Sequence, residues 1–476
     1  MRHLSVFFVG VSDVVKNSQI QWNLELIKRY DLSGPRYTSY PTAIQFDPEL
    51  SAEQLVQTGQ STADSSAPLS LYFHIPFCTH VCYYCACNKM ITRNKKRAAP
   101  YLDELYKEMA TLSNWYSNDR IVNQLHWGGG TPTFISDDEM RELMDKTRQH
   151  FHLRDDDQGD YSIEIDPREA NAQRMEVIRE LGFNRVSLGV QDIDPKVQEA
   201  VNRIQPTSMS EEIITSAREL GFKSVNVDLI YGLPHQTIDG FAKTVETMIE
   251  LSPDRLSVFN YAHMPDRFRS QMHINGEDLP APSDKLVILE NTINQLIDAG
   301  YQYIGMDHFA KPDDELAVAQ REGHLHRNFQ GYTTHSDCDL VAMGVSAISQ
   351  IGDVYYQNEH DLKLYQKAVA DKAQAIKRGV ILTRDDSIRR RVITQLICHF
   401  ELDPSVIERE FEIDFDSYFK DELELIQQFA ADGLVEIDGR RIEVTPAGRL
   451  LIRRICMTFD AYMPKLQAGR TFSRII

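Results

Sequence analysis

The sequence predicts an α/β protein: a partial (β/α)6-type barrel, preceded by an N-terminal segment and followed by a mainly helical, winged-helix-like C-terminal domain. Three observations carry this. From residue 69 onward, six short β-rich runs alternate with longer amphipathic helical stretches. Polar residues or glycines recur where those runs end. Beyond about Asp361 the rhythm turns helical. Strands separated by helices pair in parallel, because parallel strands need crossover connections. Six such units in a row suggest a barrel or part of one. A doubly wound open sheet is the alternative, since spacing alone does not show closure.

Residues 1–20 are expected to be an N-terminal extension. Arg2 and His3 precede a short apolar stretch, Leu4 to Val11, that imitates a secretory signal but runs into Ser12-Asp13 without a small-residue cleavage pattern. Residues 21–65 form a separate segment expected to lie near the substrate. It holds a helical stretch over Trp22 to Arg29, then Gly34-Pro35-Arg36-Tyr37-Thr38-Ser39-Tyr40-Pro41, where proline, glycine and serine disfavour a regular element. The small, polar run from Gly59 to Pro68 reads as a linker.

The barrel domain is expected over 66–350. Its candidate strands are LSLYFHI (69–75), QLHWG (124–128), YSIEID (161–166), RVSLGV (185–190), SVNVDLIY (224–231) and RLSVFNY (255–261). Helical patterns lie between them, such as Tyr101 to Trp115, Asp137 to His150 and Ile238 to Leu251, and a seventh β-like run, YQYIGM (301–306), follows. The C-terminal domain is expected over 360–476. Helical patterns run to Phe429, and GLVEIDGRRIEVTPAGRLLIRRI then reads as strand, Asp-Gly turn, strand and helix. A winged helix raises the question of DNA. The acidic chain and the lack of a strongly basic recognition helix argue for a packing lid instead.

A chain of 476 residues suggests two or three units. A content of 42% hydrophobic and 25% charged residues is ordinary for a folded soluble protein. No apolar run reaches the roughly 18 residues of a membrane-spanning helix. Seventy acidic against 51 basic residues give a net charge of −19, which opposes binding to nucleic acid or an anionic membrane. An anionic substrate would need local arginines. Seven cysteines, four of them within ten residues, look like a metal site in a reducing compartment, so a cytoplasmic protein is expected.

The strongest chemical signal is HIPFCTHVCYYCACNK, directly after the first candidate strand. Cys78, Cys82 and Cys85 are spaced CxxxCxxC, and Cys87 follows. Three thiolates can hold three corners of a [4Fe–4S] cube and leave the fourth iron open. Thiolate suits iron–sulfur or zinc rather than magnesium or calcium. A structural zinc site using all four cysteines is the competing reading. Zinc usually draws on two separated ligand pairs, and Cys85-x-Cys87 is too tight for easy wrapping.

Other motifs are weaker alone. Gly128-Gly129-Gly130-Thr131 allows close approach of a ligand but equally fits a tight turn. Glu164 and Asp166 end the third strand, where adjacent acids could be solvated. Arg203 could grip a carboxylate with two prongs, yet a surface ion pair is the plainer reading. Asp228 lies inside an apolar strand, where a charge is costly unless it faces a site. Its carboxylate suits the two hydroxyls of a ribose.

The CxxxCxxC spacing is the signature of radical S-adenosylmethionine (SAM) enzymes, and the chain resembles one family of them closely: the oxygen-independent coproporphyrinogen III oxidases, also called coproporphyrinogen III dehydrogenases. The resemblance runs from about Gln21 to the C-terminus. It includes GPRYTSYPTA, HIPFCxxxCxYCxCNK, LHWGGGTPT, IEIDPRE, NVDLIYGLP, GMDHFAKPDDELAVAQREG, LHRNFQGYTT and FSRII. It implies a barrel of the radical SAM kind and one [4Fe–4S] cluster on Cys78, Cys82 and Cys85. It also implies two SAM molecules per chain, one on the open iron and one beside it. The matching SAM-contacting positions are Tyr72, Tyr84, Gly129, Gly130, Thr131, Glu164, Gln191, Arg203, Asp228, Ala262 and Ile348. The family often has phenylalanine where this chain has Tyr84. Cys87 matches a fourth cysteine that is not a cluster ligand.

The implied activity is oxidative decarboxylation of coproporphyrinogen III to protoporphyrinogen IX, two propionates becoming vinyls, in haem biosynthesis. A SAM-derived 5′-deoxyadenosyl radical would start it, so no protein side chain is assigned as a proton-transfer catalyst. Arg36 is the candidate counter-charge for the carboxylate-rich substrate. An electron donor and an electron acceptor, both unidentified, are implied. Neither nucleic acid nor membrane is expected as a partner, and a monomer is expected. Two alternatives stand beside this reading. One is a related haem-inserting or haem-carrying protein; the other is a zinc-stabilised interaction module.

Overall fold

The computed structural model describes residues 20–116, 119–463, 472 and 474–476. The expected extension therefore lies, except for residue 20, outside the described residues. Six parallel strands form the centre: β1 (Leu69–Ile75), β2 (Ile121–Gly129), β3 (Asp160–Ile165), β4 (Arg185–Gln191), β5 (Ser224–Tyr231) and β6 (Arg255–Asn260). They lie side by side in chain order. A doubly wound sheet would reverse its strand order partway. The unreversed order puts the crossover helices on one face, as in a barrel. The sheet keeps two ends that do not pair, so the barrel is partial.

Residues alternate across this sheet with period two, as strand geometry requires. One face carries Leu71, Phe73, Trp127, Ile163, Leu188 and Val227, all buried. They pack with Leu105 and Met109 from the helix Ala98–Tyr116 and with Leu143 and Met144 from Asp137–His150 in one continuous core. The concave face carries the intervening polar residues: Tyr72, His126, Ser162, Glu164, Ser187, Asn226 and Asp228. The register pairs Tyr72 with His126, His126 with Ser162, Glu164 with Ser187, and Asp228 with Ser257. The interior is thus a polar cavity rather than stacked aliphatic layers.

The structure departs from the sequence reading in three places. The run expected over 301–306 is a strand, Gln302–Gly305, but it pairs with the antiparallel His308–Ala310 rather than directly with β6. Gly305 and Met306 take positive φ (144° and 56°) and turn the chain straight back through His308–Ala310 onto β6, with no room for a crossover. The expected linker starting at Gly59 is partly helix: Ala52–Thr62 begins at a Ser51/Gln54 capping box and buries Leu55, Val56 and Gly59. Finally, the sheet runs past residue 350. Asp339–Met343 lies parallel to β1, and Ile348–Ile351, Val354–Asn358 and Ile376–Ile381 follow antiparallel. The first three are short and follow one another without helices, so the βα rhythm does not reveal them, and Ile376–Ile381 follows the helix Leu362–Lys372 inside the region that reads as helical.

The C-terminal region has the expected composition. Helices Arg384–His399, Pro404–Phe411 and Lys420–Ala431 pack with a small sheet of Glu401–Leu402, Val435–Asp438 and Arg441–Val444. It also anchors the N-terminal segment, whose Gly34–Pro41 stretch has no helix or strand, as the sequence predicts. Arg453 donates to the carbonyls of Gly34 and Pro35. The Tyr37 hydroxyl donates to Asp460 (2.9 Å), and that of Tyr40 accepts from the Ala461 amide (3.0 Å). Asp31 accepts from the amides of Ile475 and Ile476 (both 3.1 Å) and from Arg474 (2.8 Å). The two ends of the chain are thereby clasped together. Among the described residues, no helix is long and apolar enough to cross a membrane.

One buried acid joins the first crossover helix to the far strands. Glu108 accepts from the Gly344 amide (2.8 Å), Asn358 (2.6 Å) and Tyr365 (2.7 Å). Burial pushes its carboxyl up to about 7 against these three donors. A carboxyl raised on folding stabilises most below its ordinary value of 4.5, and that contribution is lost as pH rises through about 7. Glu108→Gln is expected to remove this loss. Unfolding free energy should then fall less steeply across that window, by up to about 1.4 kcal/mol per pH unit, as read by chemical denaturation at several pH values.

Candidate active site

The cysteine loop leaves the carboxyl end of β1. Phe77–Cys78 pairs with Met90–Ile91 and closes the loop at its base. The Gly130 amide donates to the Ile75 carbonyl and the Thr131 amide to that of Phe77 (both 2.8 Å), laying the loop after β2 directly on it. A Cβ on Gly130 would lie 2.8 Å from the Phe77 carbonyl oxygen, and one on Gly129 (φ +113°) 2.7 Å from the His74 ring. These glycines are therefore demanded by the seat of the cysteine loop itself.

Cys78, Cys82 and Cys85 each have a polar neighbour. The Thr131 hydroxyl lies 3.5 Å from the Cys78 sulfur. Arg168 and Arg203 direct guanidinium nitrogens at Cys82, 3.3 and 3.4 Å away. Hydrogen bonding with Cys87 and the Lys89 ammonium push Cys85 down to about 6, while Cys87 is pushed up. The opposite shifts set the Cys85 sulfur toward thiolate and the Cys87 sulfur toward thiol. A single zinc holds its sulfurs about 2.3 Å from the metal and so within about 4 Å of one another. Among the described residues, three such ligand atoms within 4.8 Å of one another occur only at His335, Asp337 and Cys338. No three sulfurs of the cysteine loop therefore lie within 4.8 Å of one another, a wider spread than a single zinc draws together, and three thiolates suit three corners of a [4Fe–4S] cluster.

Behind the loop lies a buried charge network. Arg203, only 6% exposed, donates to Asp166 (3.0 Å) and to the Gly189 carbonyl (2.5 Å). Arg168 holds the same Asp166 with two contacts, at 2.7 and 3.0 Å. Burial alone would raise Asp166, but the two guanidinium groups hold it well below the usual carboxylate range. Arg203 is not a surface ion pair. Its Nε and the Gln191 Oε1 are buried without partners among the described residues, two polar atoms near the cysteine loop that suit a polar ligand there. Tyr84 and Ala262 are joined by one side chain, as the Gln271 amide donates to both carbonyls (3.0 and 3.2 Å). Tyr84 is thus held through its backbone.

The other group lines the concave cavity of about 520 Å³. Tyr72 stacks on His126 with ring centroids 5.7 Å apart and bonds His74 (3.0 Å). Glu164 opens onto the cavity and accepts from the Gly129 amide (3.0 Å) and His126 (3.3 Å). Burial opposes its charge, but these donors lower its carboxyl overall. Asp228 accepts from Asn226 (2.8 Å) and Ser187 (3.1 Å), and burial still pushes it up to about 6. Ile348 adds an apolar wall. Arg36 reaches in from the N-terminal segment and pairs with Asp307. Burial, with the charges of Arg327 and Arg453, pushes it down to about 9.

The predicted residues therefore fall into two neighbourhoods. Thr131, Gln191, Arg203, Tyr84 and Ala262 surround the cysteine loop, while Tyr72, Glu164, Asp228, Ile348 and Arg36 line the cavity. Gly129 joins the two through its contacts with His74 and Glu164. Sequence reasoning passed over Arg168, Gln271 and His126. Only Arg168 carried a usable signal, its place two residues after Asp166 in IEIDPRE.

A model of the radical SAM superfamily matches residues 72–248, and one of the HemN C-terminal domain matches residues 382–451, starting just past the last strand of the large sheet. The oxygen-independent coproporphyrinogen III oxidase of Pseudomonas aeruginosa is 57% identical over 457 residues, 96% of this chain and 99% of that protein. That of Escherichia coli is 51% identical over 458 residues, with the same two shares covered. A solved structure described as coproporphyrinogen III oxidase (HemN) from Escherichia coli, a radical SAM enzyme, superposes with a TM-score of 0.89, covering 94% of this chain and 100% of that one. With the cysteine triad, the partial barrel and similarity over nearly the whole length in agreement, the chain belongs to the oxygen-independent coproporphyrinogen III oxidase family of radical SAM enzymes.

Proposed function

We propose that the protein catalyses the oxygen-independent oxidative decarboxylation of coproporphyrinogen III to protoporphyrinogen IX in haem biosynthesis, turning two propionates into vinyls. The observation that carries this is the cysteine triad, seated by glycines and backed by Arg168 and Arg203, at the carboxyl end of a polar barrel interior. When bound, the cluster and SAM supply one-electron, hydrogen-abstracting chemistry. The chain supplies position. Cys78, Cys82 and Cys85 hold the cluster, and Cys87 supports Cys85. Thr131, Gln191, Arg203 and the backbones of Gly129, Gly130, Tyr84 and Ala262 serve SAM beside the loop. Tyr72, Glu164, Asp228 and Ile348 serve SAM on the cavity side, Asp228 with its carboxylate toward ribose hydroxyls. Two SAM molecules per chain accord with these two neighbourhoods.

The same reading takes coproporphyrinogen III as substrate and requires an electron donor and an electron acceptor. We take the protein as a cytoplasmic monomer that needs neither nucleic acid nor membrane. The residues divide into a substrate-proximal segment over 21–65, a barrel extended to Ile381 and a C-terminal domain after it. Arg36 contributes positive charge for the substrate, and Arg36→Ala is expected to weaken substrate affinity roughly tenfold; an unchanged dissociation constant removes it from the site.

The test is anaerobic reconstitution with iron and sulfide, then incubation with SAM, a reductant, coproporphyrinogen III and an added one-electron acceptor. Chromatography should show protoporphyrinogen IX and 5′-deoxyadenosine. Formation of 5′-deoxyadenosine without a vinyl product would reject the substrate while keeping the superfamily chemistry.

A further inference from the structure

Four arginines line the cavity: Arg36, Arg185, Arg255 and Arg327. Three have carboxylate partners. Arg36 pairs with Asp307, Arg185 with Glu315 (2.5 Å) and Asp160 (3.3 Å), and Arg255 with Asp314 (2.8 Å) and Glu315 (2.9 Å). Arg327 has none. It is 7% exposed, and its Nε and Nη1 are buried without a partner among the described residues. Its guanidinium rests on the Tyr332 ring, 4.7 Å from the centroid. The cations Arg36 and Arg453 act on it, and the carboxylates that line the same two cavities, Asp160, Glu164, Asp228 and Glu410, form no ion pair with it among the described residues. A buried, unpaired cation is costly, and here it is held rigidly on the strand His326–Asn328, hydrogen-bonded to Gly331–Thr333. Arg327 also lines an adjoining cavity of about 340 Å³ with Arg390 and Arg391, so it stands on the wall between two chambers. An anion brought from outside would complete this arrangement, and a guanidinium binds a carboxylate through two parallel hydrogen bonds.

We infer that Arg327 is a carboxylate-anchoring subsite that grips one of the two propionates the substrate keeps. The inference rests on the function proposed above, which supplies a ligand with four carboxylates, two of which leave as carbon dioxide. The choice between leaving and retained groups follows from the energetics. A cation on a departing carboxylate would stabilise the charge that the reaction destroys, and so would oppose the step. A cation on a retained carboxylate makes the same contact before and after reaction, and contributes binding and orientation. Arg327 is therefore a substrate-anchoring residue, and its contact persists in the product.

The test compares cluster-loaded wild type, Arg327→Met and Arg327→Lys, anaerobically and with SAM present, for affinity toward three ligands. These are coproporphyrinogen III, protoporphyrinogen IX and the tetramethyl ester of coproporphyrinogen III. We expect Arg327→Met to weaken binding of both acids by roughly 10–100-fold, with KM raised more than kcat is lowered and with lysine restoring part of the affinity. The ester should bind wild type and Arg327→Met alike, and wild type should prefer the acid to the ester, a comparison that needs no variant. Unchanged affinity of Arg327→Met for the acids, or an equal loss for the ester, would overturn the inference. Loss for coproporphyrinogen III but not for protoporphyrinogen IX would overturn the assignment to a retained propionate. If wild type binds neither porphyrinogen, the proposed substrate fails and this subsite fails with it.

Discussion

Serine at Cys78, Cys82 or Cys85 is expected to cut turnover by more than about a hundredfold and to strip iron from the protein, whereas serine at Cys87 should leave iron bound. The contrast follows from position. The first three sulfurs stand where a cluster would be held, and each thiolate is a ligand that serine replaces poorly. Cys87 is pushed toward its protonated form while Cys85 is lowered, so Cys87 is expected to support a ligand rather than to be one. Removing a partner that supports a ligand costs roughly 10–100-fold in activity or metal affinity, less than losing the ligand. Iron content, visible absorption and product yield on the four variants measure both halves. Equal loss of metal from all four would return the loop to a site built from every cysteine, and iron with full turnover in any of the first three would remove the basis of the proposed chemistry.

The second large effect is expected at Arg203. Methionine keeps the length of the side chain but removes three contacts together: to Asp166, to the Cys82 sulfur and to the Gly189 carbonyl. Breaking a buried charge pair costs about 3–5 kcal/mol, because the surviving charge is left uncompensated. Arg168 still grips Asp166, so the lower end of that range is expected. Denaturant unfolding under anaerobic conditions measures it. Arg203→Lys should recover little, because a point-like ammonium cannot reach three acceptors that a planar fork meets at once. A stability loss under about 1 kcal/mol in Arg203→Met would mean that the pair behaves as an exposed one.

Much of this was legible in the chain because its parts obey local rules. The six parallel strands stood out through their alternation with helices, and the cysteine loop through its spacing. Strands Asp339–Met343, Ile348–Ile351 and Val354–Asn358 were missed because they are short and follow one another without helices. Arg203 is the instructive case at the site. As one basic residue on a helical pattern it resembled a surface charge, and only the folded arrangement brings it under Cys82, 121 residues earlier in the chain. Arg327 was hidden for a related reason. Its environment is defined by what it lacks, and an unmet hydrogen bond leaves no mark on a sequence. Asp228, in contrast, announced itself, since an acid amid valines and leucines needs a reason to be there.

The clasp at Asp31 has a bearing on how the enzyme folds. The groups that hold Asp31, the side chain of Arg474 and the amides of Ile475 and Ile476, lie 443 to 445 residues further along the chain. The stretch bearing Arg36 begins only a few positions after Asp31, and Arg453, near the other terminus, fastens its start. The barrel strands pair with neighbours far nearer in sequence, whereas this fastening closes a loop of more than 440 residues. Long-range closure costs the most chain entropy and is gained late in folding, so the barrel is expected to form before the chamber receives its N-terminal wall.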